Sequence, residues 1–591
     1  SHFGPTLAYA LPREQTVVQA NRRLLFRQSH KRAMTAVCPQ PTCPTEGCHL
    51  THGEGWGILL GCLAFFAIIA GLAVPKMVRE LRKRGVAANS EEGADFWYSA
   101  RNSQSWPSIA FSICATSAGG WLLYTPAEAA VVGGWWALLG YCFAIALGPL
   151  VMCYLAPKFR EQMPGSANVT DWVLQRFGLI PFVYVSLILV YYMFIYLVGQ
   201  LKTMGDMTVK FTGMVPEAGV VPLALVTMLY TMIGGLPASI VTDWVQAGCI
   251  LVLVFGICIA VWGWADIKQE HWEQVSTGSD RGFEMAVSLC FAVFGAEVFN
   301  LAFWQRIYAA RDVRQLRIGF VVGAIMVSLL TFVFGLTGML LKAQDLGREC
   351  GPRNPIPPFV FFEVLEMPQT GKAIRVLMYI LVVSMIASNA DSFQTAITST
   401  ISRVLQKQKW EAWKNIAAAE AFVLVINIPA MLFANFSAND NASLDGLAVK
   451  LTDLFSMADI LTITLVVPLF SGLWPFVTAK GAMAGMFSGI LFIMAWGWVE
   501  FDTFMGGMEM ITLMCFGNTR PGPSENGAPG CGFYSSRASI MFPLIPIITG
   551  AFTFLVSYME RSWTTMQEIA AKLPPAAAAQ KEAEVGQEAI I

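Results

Sequence analysis

Polar oxygen crowded into apolar sequence is the first chemistry this chain offers. Between Lys372 and Ser402 stand Ser384, Ser388, Asn389, Asp391, Ser392, Thr395, Thr398, Ser399 and Thr400, more oxygen than a lipid-facing helix would carry. Met385, Ser388 and Ser392 fall at i, i+3 and i+7, one stripe of a helix, which would present a hydroxyl and carbonyls to a single point. A second stretch, ATSAGGWLLYTPAEAA from Ala115 to Ala130, puts Thr116, Ser117, Gly119 and Gly120 where a helix weakens and Pro126 where a backbone donor is missing. An unwound turn there would free carbonyl oxygens, and bare carbonyls suit a hard cation such as Na+. Close helix packing against small residues is the competing explanation. Three carboxylates, Glu128, Asp243 and Glu297, lie at or near membrane depth. Any one could be a hydrogen-bonded structural acid, but burying three is costly enough that at least one is expected to serve ion coupling or substrate contact.

The elements that must position these groups follow from composition. The chain has 591 residues, 55% of them hydrophobic and only 13% charged, against roughly 25% in soluble domains. Uncharged windows such as 55–75, 181–199 and 248–265 are each long enough to cross roughly 30 Å of hydrocarbon as a helix. The fold class expected is an all-α polytopic membrane protein with about thirteen spans, from 55–76 to 539–559, among them 107–131, 134–156, 212–233, 239–264 and 372–402. A net charge of −1 gives no basic stripe, so nucleic acid is excluded as a partner. The five histidines (His2, His30, His49, His52, His271) all lie outside the spans, which removes His-ligated haem, His-bound copper and an intramembrane HExxH zinc site. With no constellation of nucleophile, base and metal, an enzyme is not expected.

Sidedness rests on three signals. With the N-terminus outside, five inner loops hold 18 Lys and Arg against about 10 in the outer ones, although Arg13, Arg22, Arg23, Arg27, Lys31 and Arg32 in the N-terminal tail dissent. The sequons at Asn435 and Asn441 fall in an outer loop, whereas Asn168 falls in an inner one and should stay unmodified. Of thirteen cysteines, Cys38, Cys43, Cys48, Cys350, Cys515 and Cys531 lie outside and the rest in spans, which fits an oxidising outer face with Cys515 and Cys531 as the nearest pair. A zinc cluster of Cys38, Cys43 and Cys48 with His49 and His52 is the weaker alternative, since CPQPTCPTEGC contains no CxxC. The expected setting is therefore a multi-pass protein of the plasma membrane, N-terminus outside and C-terminus cytoplasmic, with an outer tail over 1–54, an extra helix and inner loop over 55–106, two helices with an outer loop over 481–559, and a cytoplasmic tail over 560–591. No cleavable signal peptide is evident.

Four strings, in the right order on the right spans, resemble the sodium/solute symporter family: ATSAGGWLL (Ala115 to Leu123), YTMIGGLPASIVTDWVQ (Tyr230 to Gln246), WQRIYAARD (Trp304 to Asp312, similar to that family's inner loop) and SNADS (Ser388 to Ser392). They are similar, severally, to the proline and choline branches, and GAEVFNLAFWQ (Gly295 to Gln305) is similar to the urea and polyamine branch. The resemblance implies a core of two five-helix repeats of opposite orientation, 107–264 and 283–474, with substrate held between the first helix of each and alternating access by rocking. It implies a Na+ site from the carbonyls of Ala115, Ala118 and Met385, the hydroxyl of Ser388 and the side chain of Asn389, with Asp243 as an ion-coupling acid. Asn389 stands where the family usually has Ser or Thr, and Ser117 where the proline branch has an acid, so the coupling ion stays open between Na+ and H+. Substrate contacts would come from Glu128, Glu297, Asn300 and Trp121. Val293 and Ala296, at positions that hold a sugar-contacting Asn and an aromatic gate in the galactose branch, argue against a sugar.

The function expected is a secondary symporter importing a small polar organic solute, urea, a polyamine or a proline-like amino acid, with the ion as its only cofactor and the solute and bilayer as partners. A nutrient sensor on the same fold is the alternative, disfavoured by a tail of about 30 residues without an output domain. A channel is disfavoured because the polarity is concentrated at a few depths rather than along a lane. Oligomeric state is not legible.

Overall fold

The computed structural model describes residues 50–87, 90–166, 168–346, 365, 371–406, 411–438, 451–502, 504–512 and 536–572. Cys38, Cys43, Cys48, Cys350, Cys515, Cys531 and Asn441 lie outside them. The described residues form an all-helical bundle with eleven helices long and apolar enough to cross a membrane. These are α1 (His52–Lys83), α4 (Thr125–Gln162), α6 (Leu179–Thr212), α7 (Glu217–Trp264), α9 (Asp280–Phe299), α11 (Val313–Leu346), α12 (Lys372–Gln406), α13 (Ala412–Ala438), α14 (Leu451–Phe470), α15 (Ala479–Phe501) and α17 (Ser536–Lys572). Short helices join them: α2 (Glu91–Ser99), α3 (Trp106–Ser117), α5 (Val169–Phe177), α8 (Gln269–Ser276), α10 (Leu301–Ala309) and α16 (Phe504–Thr512).

Thirteen expected spans map onto eleven long helices because two of those helices turn at a glycine. In α7 the turn is at Gly235, φ 56° and ψ −155°, which separates the windows 212–233 and 239–264. In α4 it is at Gly134, φ 60° and ψ −150°, so α4 carries both the end of the second window and the whole of the third. Such a φ favours glycine, and at Gly235 space adds a second constraint, since a Cβ there would lie 2.4 Å from the carbonyl oxygen of Trp97 on α2. Gly235→Ala is expected to destabilise the protein by about 1–3 kcal/mol, measured as a lower thermal midpoint in detergent; an unchanged midpoint would show that α2 and the turn shift at no cost.

The second window breaks where its glycines predict. Helix α3 ends at Ser117, Ala118 takes φ −79° and ψ 63°, Gly119 is extended, and a 3-10 turn over Gly120–Leu123 leads into α4, whose first turn holds Pro126 where its missing N–H is harmless. A second break was not foreseen. Asn300, φ −60° and ψ 105°, interrupts α9 and α10, and its Oδ1 accepts the backbone N–H of Ala302 at 3.1 Å. The sequence signal was an asparagine ahead of an apolar run, an N-cap pattern.

Outward-facing Leu72, Ile180, Leu187, Val252, Leu491 and Val499 are more than 60% exposed in the protein alone, as a lipid-covered surface requires. Inside lies a single large apolar core that takes in both breaks. Of the free cysteines among the described residues, Cys62, Cys142, Cys153, Cys249, Cys258 and Cys290 sit in the long apolar helices, and Cys114 sits in α3, inside the expected window 107–131.

Candidate transport site

Two polar centres sit inside this apolar core. The first joins α3, α7, α10 and α12. Asp243 is fully buried; its Oδ2 accepts the Ser112 hydroxyl at 2.5 Å and Arg306 Nη2 at 2.9 Å, and its Oδ1 accepts the Ser388 hydroxyl at 2.8 Å. Arg306 also donates through Nε to Ser112 Oγ at 2.8 Å, through Nη1 to the Ala302 carbonyl at 3.1 Å and through Nη2 to Ser392 Oγ at 3.0 Å. Beside them Asp391 accepts the hydroxyls of Tyr230 at 2.7 Å and Ser239 at 2.9 Å. From sequence Arg306, within WQRIYAARD, is expected in an inner loop, and the structure corrects this. The guanidinium is 0% exposed on α10, because after Asn300 the chain re-enters helix and the side chain meets an acid 63 residues away in sequence.

Five of the six expected ion-site residues gather here, as a trio and a pair. Asn389 Nδ2 donates to the Ala115 carbonyl at 2.9 Å and to the Met385 carbonyl at 3.2 Å, across the gap between the broken helix and α12, while Ser388 turns to Asp243. Ala118 is fully buried at the break itself. The donor set offered, two carbonyls, an amide, a hydroxyl and a nearby carboxylate, is all hard oxygen once the Asn389 amide turns its Oδ1 inward, so its chemistry fits Na+. The amide N–H2 spans the carbonyls that the ion would take.

The second centre is a cavity of about 40 Å³ between α4, α6, α9 and α14, enough for a few waters or the ammonium end of an amine. Aromatic rings wall it: Trp121 stacks on Tyr141 at 5.6 Å between centroids, and Tyr196 meets Phe455 at 4.9 Å. Thr125 and Tyr141 hold each other with hydroxyls 2.7 Å apart, and Ile145, Leu289, Ala292 and Val293 supply the apolar remainder. Glu297 and Asp459 are its acidic lining. Asp459 Oδ1 accepts the Tyr196 hydroxyl at 2.7 Å, whereas Glu297 Oε2, equally buried, has no hydrogen-bond partner among the described residues. Gly148 lets α4 come close enough to shape this wall, since a Cβ there would lie 2.5 Å from the Glu297 Cβ. Tyr192 fixes the same turn by donating to the Ala296 carbonyl at 3.0 Å.

Of the four residues expected to touch substrate, Trp121 and Glu297 line this cavity. Glu128 is buried in the first turn of α4 and Asn300 is occupied as the cap of α10; neither belongs to the lining. Tyr141, Tyr196, Phe455 and Asp459 were missed. Asp459 was findable by the same rule that chose Glu297, an acid within an apolar window, but the aromatic wall comes from three helices and carries no local pattern.

Comparison with known proteins gives three findings. The family model described as "Sodium:solute symporter family" matches residues 97–489. A spermidine transporter, DUR31 of Candida albicans, is 26% identical over 418 residues, covering 68% of this chain and 75% of that protein. Among solved structures, a Na+-coupled sialic acid symporter in a substrate-bound outward-open state superposes with a TM-score of 0.62 at 16% identity, covering 86% of this chain and 97% of that one. This last likeness concerns the fold.

Proposed function

Since the chain belongs to the sodium:solute symporter family, we propose that it imports a cationic amine of the polyamine type, driven by Na+. It is a multi-pass membrane protein, and family and fold are those of transporters. One observation carries the choice of substrate: a buried carboxylate oxygen without a partner, Glu297 Oε2, in a cavity walled by aromatic rings. Water-excluded carboxylates want a cation, and ring faces favour ammonium groups and the methylenes between them. The spermidine transporter relative supports the same class. Urea and proline fit less well, because neither brings the net positive charge that this lining lacks. Uptake of labelled spermidine, urea and proline into proteoliposomes, with and without a Na+ gradient, tests the reading; Na+-driven urea or proline uptake with no spermidine uptake would overturn it.

In this reading the repeats are 107–264 and 283–474, the two breaks at Ala118 and Asn300 interrupt their first helices, and the cavity lies between those helices. The Na+ ligands are Ala115, Ala118, Met385, Ser388 and Asn389, with Asp243 behind them. Ser388→Ala removes one oxygen from about five, so the Na+ concentration for half-maximal uptake is expected to rise severalfold while the backbone carbonyls remain. Unchanged Na+ dependence at normal expression would retire the assignment.

The plasma-membrane setting with an outer N-terminus is testable by glycosylation. Asn168 is buried, its Oδ1 accepting the backbone N–H of Thr170 at 3.0 Å and its Nδ2 donating to Thr400 Oγ1 at 3.2 Å, so no glycan can be carried there in the folded protein. Asn435 sits in the last turn of α13. In a eukaryotic host the glycosidase-sensitive shift on a gel should vanish in Asn435→Gln/Asn441→Gln and persist in Asn168→Gln.

A further inference from the structure

The charges facing the cavity do not balance around one ammonium group. Glu297 on α9 and Asp459 on α14 both line it, and among the described residues no Lys, Arg or His does. The nearest buried guanidinium in sequence, Arg306, is engaged by Asp243, Ser112, Ser392 and the Ala302 carbonyl. A solute with one ammonium would leave one negative charge of the two carboxylates uncompensated; a solute with two would balance both. The cavity of about 40 Å³ takes one ammonium end as it stands, so a diamine seats only as these walls part, and the rings of Tyr196 and Phe455, which meet beside Asp459, then offer apolar faces to its methylenes. Tyr196 holds Asp459 through its hydroxyl on Oδ1, which fixes the side chain in the cavity wall.

We propose that Asp459 is the specificity-determining residue of this cavity, a second anionic contact that selects solutes carrying two ammonium centres over solutes carrying one. The proposal rests on the amine reading above and adds to it a rule for counting charges. Primary amines of this kind titrate near pH 10, so at pH 7 a diamine presents both charges.

The test compares butylamine with 1,4-diaminobutane, which share a four-carbon chain and differ in one ammonium group. Each competes against Na+-driven uptake of labelled spermidine by the purified full chain in proteoliposomes. Wild type is expected to be inhibited by the diamine at a concentration at least about tenfold below that of butylamine, the factor a charge-assisted contact supplies. Asp459→Asn should raise the inhibitory concentration of the diamine about 10-fold to 100-fold and that of butylamine less than about threefold, so that the two converge. Glu297→Gln should weaken both amines. Equal competition by both amines in wild type, or a parallel shift of both in Asp459→Asn, overturns the proposal while leaving the amine reading intact. If neither amine binds wild type, in uptake or by thermal shift, but urea or proline does, the amine reading itself has failed. Should Asp459→Asn not fold, Asp459→Glu keeps the charge and advances it by one methylene; it should retain the preference for diamines and move the optimum towards 1,3-diaminopropane. A diamine preference of unaltered chain length would then count against a direct contact.

Discussion

Arg306→Met should be the most damaging single change in the membrane core, lowering stability by about 3–5 kcal/mol. The guanidinium is fully buried and donates to groups on three elements: Ser112 on α3, Asp243 on α7 and Ser392 on α12. Removing it strands the Asp243 carboxylate with two hydroxyl donors and no cation, and the stranded charge rather than the lost attraction makes the change severe. The prediction has an internal check. Asp243→Asn removes the negative partner, so Arg306→Met/Asp243→Asn should recover more than half of the stability lost by the single change, read as thermal midpoints of the detergent-solubilised protein. If the double variant is as unstable as the sum of the two single ones, the pair is not coupled and the network described here is not what joins these helices.

That network also shows what the sequence could and could not disclose. The break at Ala118 and Gly119 was legible because glycine and small hydroxyl residues weaken a helix wherever they stand, a property that belongs to the residues themselves. The depth of Glu297 and Asp243 was legible for a similar reason, since an acid inside an apolar window must be dealt with by the fold. Pairing was not. Arg306 was read as an inner-loop charge because local composition cannot say that the chain turns at Asn300 and carries it back towards α7. The family resemblance named Asn389, Ala115 and Met385 together and they do meet in space, yet only coordinates reveal that the Asn389 amide nitrogen bridges the two carbonyls. Trp121 is a candidate through the family resemblance, whereas its stacking partner Tyr141 is one aromatic among many in the sequence and acquires meaning only beside Thr125 and the two acids.

Glu297→Gln should weaken binding of a cationic amine by about 1–3 kcal/mol, the scale of a lost charge-assisted hydrogen bond, and affect neutral urea far less. Three ways of accommodating the carboxylate can be compared. Pairing with Arg306 is excluded by geometry, because that guanidinium is committed to Asp243 at 2.9 Å. A protonated structural acid would need an acceptor for its proton or a donor for its free oxygen, and Oε2 finds no hydrogen-bond partner among the described residues. The third possibility is a cation delivered into the cavity, and the aromatic rings around it are the surroundings in which an ammonium group loses least on leaving water. These readings predict opposite patterns: glutamine in place of a protonated acid changes little for any solute, whereas glutamine in place of an ionised one penalises the cation selectively. Binding of putrescine and urea to wild type and Glu297→Gln, measured side by side at saturating Na+, separates them. A loss of about 5-fold to 150-fold for putrescine with urea nearly unmoved is the expected result; equal small changes in both would remove Glu297 from the substrate site and leave the cavity in need of another explanation for its unpaired oxygen.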